Sequence, residues 1–187
     1  MNTLVIFSGL PGTGKSMLAN RLARELGWPL LRIDDILGEI PENPDVEFWN
    51  SKVAILLDVT EVQLGLGLSV IVDSVFMNTD RQHAQNLARK YNARFRPIYT
   101  FVSDDHIWEQ RVYERCRQSN NKDVANWDDI QYQRGHFREW AADTALFIDS
   151  LYPFMYNYAE VLQFVTSEEV AVKPLEDIPL IQGSYHG

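Results

Sequence analysis

The sequence predicts an α/β fold in which a parallel β-sheet carries helices on both faces. Short apolar runs alternate with longer helical stretches, and no internal repeat or long linker divides the chain. Residues 4–7 are continuously apolar, as expected for a strand buried on both faces. Leu18, Leu22 and Leu26 follow at a spacing of four, which is typical of an amphipathic helix, and Gly27 is a favourable helix end.

The remaining elements continue this alternation. Further strands are predicted at residues 30–33, 70–72, 97–102 and 145–148. Further helices are predicted at residues 47–64, 79–91, from about 103, 127–142 and 153–164. Thr79 and Gln82 match a capping box at the start of one of these helices. Ser103, with two aspartates after it, is a favourable start for the next.

Length and charge limit the classes of protein. The 187 residues fit one domain of ordinary globular composition, which we place at residues 1–165, with an irregular tail at 166–187. The formal net charge of −9 argues against non-specific nucleic-acid coating and against anionic membranes. Cys116 is the single cysteine, and no Cys/His cluster has zinc-like spacing.

Targeting signals are not recognisable in the sequence. The first residues lack the basic start and cleavage site of a signal peptide. No apolar run approaches the roughly 18 residues that a membrane span needs. We therefore expect a cytoplasmic protein with no membrane partner.

Residues 9–16 match the phosphate-binding pattern G-x-x-x-x-G-K-[ST] in full. Its glycines let consecutive backbone N–H groups point at phosphate oxygens, and the helix that begins there adds its positive end. Lys15 is expected to contact the β- and γ-phosphates, and the Ser16 hydroxyl to bind Mg²⁺. A glycine-rich turn with an incidental lysine is the weaker interpretation, because the loop lies between a buried strand and an amphipathic helix. The expected nucleotide-binding residues are Gly9, Leu10, Pro11, Gly12, Thr13, Gly14, Lys15, Ser16 and Met17.

Three aspartates follow predicted strands, at the edge where parallel sheets bind ligands. Asp34 and Asp35 come after the second strand, and either one can accept a proton from an attacking hydroxyl. Asp73 comes after the third strand, where a carboxylate can hold Mg²⁺ through water or contact the acceptor. The alternative role for all three is a helix cap or a turn.

Two arginines precede the most polar stretch of the chain. Arg111 and Arg115 are four residues apart on one predicted helix face, directly before residues 117–127. Arginines beside such a segment fit a lid that closes over the γ-phosphate and neutralises its charge. The alternative is a pair of solvated arginines that bind Glu109 or Glu114 weakly.

With these residues in place, the chain resembles P-loop kinases of the polynucleotide-kinase and zeta-toxin-like branch, which are often described as AAA-family ATPases. The resemblance covers about residues 3–165. It is carried by residues 8–16, 32–35, 70–74, 111–115 and 146–150. It implies a three-layer P-loop NTPase fold with strand order 2-3-1-4-5 and a short lid, and Mg²⁺-dependent transfer of the ATP γ-phosphate to a hydroxyl. It also places Asp34 at the position of the general base and Arg115 at that of a lid arginine.

Two departures from this family are visible in the sequence. Leu37 stands where many relatives carry an arginine that holds an acceptor phosphate, and Met17 replaces a frequent second hydroxyl. The resulting hypothesis is an ATP-dependent kinase for a small hydroxyl-bearing acceptor. Two alternatives remain open: a polynucleotide 5′-hydroxyl kinase, and a nucleotide-dependent regulatory or binding module with little turnover.

Overall fold

Five parallel strands form one sheet in the part of the chain that the structure, a computed structural model, describes: residues 1–36, 46–118, 125–168, 172–173 and 175. The strands are β1 (Thr3–Ser8), β2 (Leu30–Arg32), β3 (Val70–Asp73), β4 (Arg94–Phe101) and β5 (Leu146–Asp149). Their order across the sheet is β2-β3-β1-β4-β5, and every neighbouring pair is parallel. The predicted fold class and strand order are confirmed.

Helices cover both faces of this sheet. They are α1 (Lys15–Leu26), α2 (Ile33–Ile36), α3 (Val46–Gly65), α4 (Asn78–Lys90), α5 (Asp105–Gln118), α6 (Trp127–His136) and α7 (Phe154–Thr166). Because side chains alternate along a strand, Leu4 and Ile6 face the core beneath α3 and α4. Val5 and Phe7 face the core beneath α1 and α7. No helix of the described residues is long and apolar enough to cross a membrane.

Two predicted helix boundaries are wrong for identifiable reasons. The capping box does not use Thr79 and Gln82, because α4 already begins at Asn78 and the Asp80 carboxylate accepts the Met77 N–H at 2.8 Å. The helix predicted to end at Ala142 stops at His136. Phe137 is extended, and its ring packs into the core beside Tyr99 at a centroid distance of 5.8 Å.

Two predicted strand boundaries also move. The second strand ends at Arg32, since Ile33 is already the first residue of α2. The fourth strand begins at Arg94 rather than at residue 97, because Arg94 lies opposite Thr3 in the ladder with β1. Arginines at 94 and 96 interrupt the apolar pattern there. The apolar pattern alone therefore did not predict the first residues of β4, 94–96.

Several sequence predictions concern residues that lie outside the described part of the chain. These are Leu37, the middle of the lid at 119–124, and most of the tail at 166–187. At the borders of the lid, α5 ends at Gln118 and Asn126 caps α6, its side chain accepting the Asp129 N–H at 3.0 Å. Beyond α7, Val172 and Leu175 pack against the two cores. The division into a domain and an irregular tail stays a prediction.

Candidate active site

The loop between β1 and α1 has a backbone that only glycine accepts at its first position. Gly9 has φ +137°, and a Cβ there would stand 2.2 Å from the carbonyl oxygen of Thr100. Gly14 caps α1 in the left-handed region, with φ +88°. The pattern of residues 9–16 therefore corresponds to a tightly packed turn at the carboxyl end of the central strand.

Side-chain hydrogen bonds fix the conformation of this loop by donating to the carbonyl oxygens of Leu10 and Pro11. The Thr13 hydroxyl donates to the Leu10 carbonyl at 2.8 Å, and Lys15 Nζ donates to the same oxygen at 3.0 Å. Trp108 Nε1, on α5, donates to the Pro11 carbonyl at 2.9 Å. Within the described residues, no hydrogen bond uses the amides of residues 12–16. These amides are the donors that a phosphate group requires.

Lys15 and Asp73 form the buried charged centre of the site. Strand register puts Phe7, two residues before Gly9, opposite Asp73 at the end of β3. Burial lowers the pKa of Lys15, while the nearby carboxylates of Asp73 and Asp34 act in the opposite direction. Burial raises the pKa of Asp73, and Lys15 together with a hydrogen bond from Ser16 partly offsets this. The two opposite charges therefore stabilise each other in a site poor in water.

Ser16 and Asp73 fit a magnesium ion. Both offer hard oxygen atoms, and the Asp73 side chain is desolvated, so a cation beside it would restore the interactions that burial removes. Among the described residues, no group of three or more His, Cys, Asp or Glu side chains could hold a metal ion. Mg²⁺ in general takes few protein ligands and fills its shell with water and phosphate oxygens.

The structure separates the two adjacent aspartates that the sequence left equivalent. Asp35 accepts two hydrogen bonds from Arg32, at 2.8 and 2.6 Å, which raise the pKa of that arginine. Asp34 is exposed, and its carboxylate has no hydrogen-bond partner among the described residues. Asp34 also lies close enough to raise the pKa values of Lys15 and Asp73. Of the two, Asp34 is the carboxylate that faces the phosphate loop.

The two arginines of α5 have different surroundings. Arg111 is half-buried and donates to the Ser150 hydroxyl at 2.7 Å and to the Ser150 carbonyl at 3.0 Å. Ser150 follows β5, and its Cβ lies 3.6 Å from where a Cβ of Gly14 would stand. Arg115 is exposed, and its charge is near enough to Lys15 to lower the lysine pKa. Both arginines thus lie at the phosphate loop, but Arg111 is fixed while Arg115 faces solvent.

The turn after β3 is held by residues that the sequence did not single out. Arg81 is buried between the rings of Phe137 and Trp140, 4.7 and 4.6 Å from their centroids, and burial lowers its pKa to about 10. Its Nε donates at 2.9 Å to the carbonyl of Phe76, which has a positive φ of 53°. Trp140 Nε1 donates to Ser8 at 2.9 Å. These contacts stabilise the turn that follows Asp73.

The structure brings most of the predicted residues together and adds others. Asp34, Asp73 and Arg115 lie close enough to Lys15 to change its pKa, and Ser16 lies close enough to Asp73 to change the pKa of that carboxyl. Met17 is 63% exposed in the first turn of α1, so its side chain contributes little to the loop's packing. Trp108 is a site residue that the sequence analysis did not identify. No local signal indicated its hydrogen bond to a loop 97 positions earlier.

The fold and this site define a P-loop protein with the three-layer architecture of P-loop kinases. A family model described as an AAA domain matches residues 4–139, and the chain belongs to this AAA-domain family. One curated relative, the replication factor C large subunit of Natronomonas pharaonis, is 25% identical over 125 residues. That match covers 65% of this chain but only 24% of the relative's length.

Solved structures with the same fold include several kinases. A presumed kinase from Chloroflexus aurantiacus has a TM-score of 0.70 and 23% identity, covering 88% of this chain and 93% of that one. A gluconokinase from Sinorhizobium meliloti has a TM-score of 0.63 and 15% identity, covering 88% and 91%. The adenosine-phosphosulfate (APS) kinase of Mycobacterium tuberculosis, in complex with AMPPNP and APS, has a TM-score of 0.63 and 16% identity, covering 89% and 98%. At these identities the likeness shows the fold.

Proposed function

We propose that this protein is an ATP- and Mg²⁺-dependent phosphotransferase that moves the γ-phosphate to a hydroxyl of a small acceptor. The observation that carries the proposal is the position of Asp34. Its carboxylate is unpaired among the described residues, yet close to the charged centre formed by Lys15 and Asp73. An aspartate with a structural role only would be expected to hold a partner, as Asp35 holds Arg32.

The phosphate loop would grip the triphosphate. The unused amides of residues 12–16 donate to phosphate oxygens at the positive end of α1. The buried ammonium group of Lys15 leaves the Leu10 carbonyl, 3.0 Å away, to contact the β- and γ-phosphates. Complexes of related folds support nucleotide binding, since one contains AMPPNP and another ADP-AlF₃.

Ser16 and Asp73 would hold the metal at the same edge. When bound, Mg²⁺ neutralises charge on the β- and γ-phosphates during transfer. Ser16 lies close enough to Asp73 to lower the pKa of that carboxyl, so the hydroxyl and the carboxylate oxygen atoms are near each other. Burial of Asp73 keeps competing water away from this position.

Asp34 would act on the acceptor. The acceptor oxygen attacks the γ-phosphorus, its proton passes to the Asp34 carboxylate, and the bond from phosphorus to the β–γ bridging oxygen breaks to leave ADP. Arg115 would pair with the oxygens of the transferring group, while Arg111, held by Ser150, fixes the helix that carries it.

Two observations support a small acceptor: the net charge of this protein and the substrates named for proteins of similar structure. The net charge of −9 disfavours a groove that follows a polynucleotide backbone. Gluconokinase and APS kinase, which share the fold, are named for small substrates. The acceptor can be identified by following label from ATP into a metabolite extract.

The test is to incubate the protein with γ-labelled ATP, Mg²⁺ and a metabolite extract, in parallel with Asp34→Asn. We expect label in one small-molecule species, and at least a 100-fold lower rate with Asp34→Asn, because the acceptor loses its base. ATP affinity, measured by calorimetry, should change less than threefold. Asp35→Asn is the matched variant on the same turn and should retain more than a tenth of the activity.

The other outcomes are also informative. Label that stays in ATP would contradict the small-acceptor proposal, and a 5′-hydroxyl oligonucleotide would then be tested. Equal loss in both aspartate variants would indicate a structural role for the α2 turn. Free phosphate as the only product, unchanged in Asp34→Asn, would remove Asp34 from the chemistry.

A further inference from the structure

A cavity lies at the opposite end of the sheet from the phosphate loop. It has a volume of about 240 Å³ and is lined by Gln85, Ala88, Arg89, Ala93, Phe95, Arg96 and Val172. The strand register fixes its position. Phe95 and Arg96 pair with the beginning of β1 at Leu4 and Val5, whereas the phosphate loop follows the end of β1. We call this space the β4-edge cavity.

At this cavity, one edge of strand β4 is not paired with another strand among the described residues. β5 pairs with β4 only from Ile98 onward, so residues 94–97 pair with β1 alone among the described residues. The helix α4 covers one side of the opening through Gln85, Ala88 and Arg89. Val172 contributes an apolar wall from beyond α7.

Two buried polar side chains in the cavity wall each keep one polar atom without a partner among the residues that the structure describes. Gln85 and Arg96 are each only 4% exposed. Among the described residues, Gln85 Oε1 and Arg96 Nε have no hydrogen-bond partner, although Arg96 donates through another nitrogen to the Ser167 carbonyl at 2.9 Å. Native proteins leave few buried polar atoms unpaired, and each such atom that they keep calls for an explanation.

The cavity is also positively charged in a protein that is acidic overall. Arg89 and Arg96 line it, and Arg94 is near enough to Arg96 to lower the pKa of that residue, although burial is the larger cause. The ion pairs among the described residues involve other arginines and lysines. No carboxylate of the described residues lies within 4.0 Å of Arg89, Arg94 or Arg96 to form an ion pair. An anion is therefore the complementary ligand.

We propose that the β4-edge cavity binds a small organic anion that carries a hydroxyl or amide N–H beside its charged group. The anionic oxygen accepts hydrogen bonds from Arg96 Nε and from Arg89, and the ligand's donor meets Gln85 Oε1. The ligand's apolar part packs against Ala88, Phe95 and Val172. The site is separate from the nucleotide and does not depend on the proposed kinase activity.

The test is a titration of the full-length, ¹⁵N-labelled protein followed by NMR. The probes are mandelate, which places a hydroxyl beside a carboxylate, phenyl phosphate, and the neutral analogue mandelamide. We expect saturable shifts of amides in residues 85–96 with at least one anion, and none with mandelamide. A stronger response to mandelate than to phenyl phosphate, which offers Gln85 Oε1 no hydroxyl or N–H donor, supports the proposed pairing, and a stronger response to phenyl phosphate contradicts it.

Variants separate this site from general electrostatic attraction. Arg89→Gln, on an exposed position of α4, should weaken anion binding roughly tenfold, the effect of losing a charged hydrogen bond. Gln85→Met should weaken mandelate more than phenyl phosphate. Arg24→Gln removes the same charge from the exposed side of α1 and should have no effect. Shifts confined to residues 9–16, shifts that do not saturate, or equal effects of Arg89→Gln and Arg24→Gln would overturn the proposal.

Discussion

Trp108 donates a hydrogen bond of 2.9 Å from its indole nitrogen to the carbonyl of Pro11. A residue of α5 thereby fixes the backbone of the phosphate loop. The same ring lies 3.1 Å from where a Cβ of Gly12 would stand, so the helix also limits the loop sterically. The shape of the nucleotide site thus depends on the helix that carries Arg111 and Arg115.

Trp108→Phe should weaken nucleotide binding while preserving the fold. The change removes one hydrogen bond and leaves the Pro11 carbonyl without this donor, which costs about 1–3 kcal/mol. We expect at least about 1 kcal/mol of this cost to be lost from ATP binding, a fall in affinity of roughly fivefold or more, measured by calorimetry. Trp127→Phe is the control, because its ring contacts Trp108 edge-on and leaves the bond to Pro11 in place. Equal affinities in the two variants would contradict a role for this bond.

Gly9→Ala should destabilise the protein severely. The new Cβ would meet the Thr100 carbonyl at 2.2 Å, and the φ of +137° is itself unfavourable for alanine. We expect the free energy of unfolding in urea to fall by about 3 kcal/mol or more. Gly67→Ala is the matched control. It has φ +76° with nothing within 4 Å, so only the backbone cost of about 1 kcal/mol applies.

Arg115→Gln should lower the rate of phosphoryl transfer more than nucleotide affinity. Its charge is near Lys15, and the proposed role is to stabilise charge that develops on the transferring phosphate. We expect kcat to fall about 100-fold or more, with a KM for ATP within about fivefold of the parent. Arg117→Gln, two positions further along α5, is the control and should retain nearly full kcat. A loss of affinity without a loss of kcat would assign Arg115 to ground-state binding.

Stability should decline between about pH 10 and pH 12, in part because of Tyr158. Burial and a 2.7 Å hydrogen bond to Glu25 raise the pKa of Tyr158 from 10.0 to about 12. The unfolded chain therefore releases this proton first, so the contribution is complete below pH 10 and is lost as the pH rises to 12. The loss amounts to about 2 kcal/mol.

The measurement is the urea midpoint as a function of pH. Tyr158→Phe should start less stable at neutral pH and show a shallower decline above pH 10. Tyr113→Phe, at a position that is 54% exposed, is the control and should keep the parent's slope. Tyr99, whose pKa burial likewise raises to about 12, would maintain part of the decline in every variant. Parallel slopes in Tyr158→Phe and the parent would contradict the assignment.

Local patterns predicted the backbone well where a single rule applied. Residues 4–7 had to be a buried strand because a continuous apolar run leaves no solvent-facing side. The glycine at 27 ended α1 as expected, with its N–H on the Ala23 carbonyl at 2.9 Å. Predictions failed where two signals competed. At α4, the Asp80 carboxylate accepts the Met77 N–H, so the helix cap lies at Met77, two residues before Thr79.

The pairing of charged side chains was not predictable in the same way. Asp34 and Asp35 are neighbours with the same chemistry. The orientation of the Arg32 side chain at the end of β2 decides that Asp35, and not Asp34, forms the ion pair. Arg81 gave no signal at all. Its burial between Phe137 and Trp140 depends on contacts more than fifty positions apart in the chain.

The sequence by itself determined the parallel sheet, the glycine-rich loop at residues 9–16 and the chemical types of the groups around it. These follow from periodicity and from residue types at fixed spacing, which act on the nearby backbone. Only the tertiary structure decided that Arg111 is held by Ser150 and that Asp34 faces Lys15 without a partner among the described residues. Such choices depend on the packing of separate helices and strands, because hydrogen bonds and charge pairs act over distances that sequence spacing does not specify.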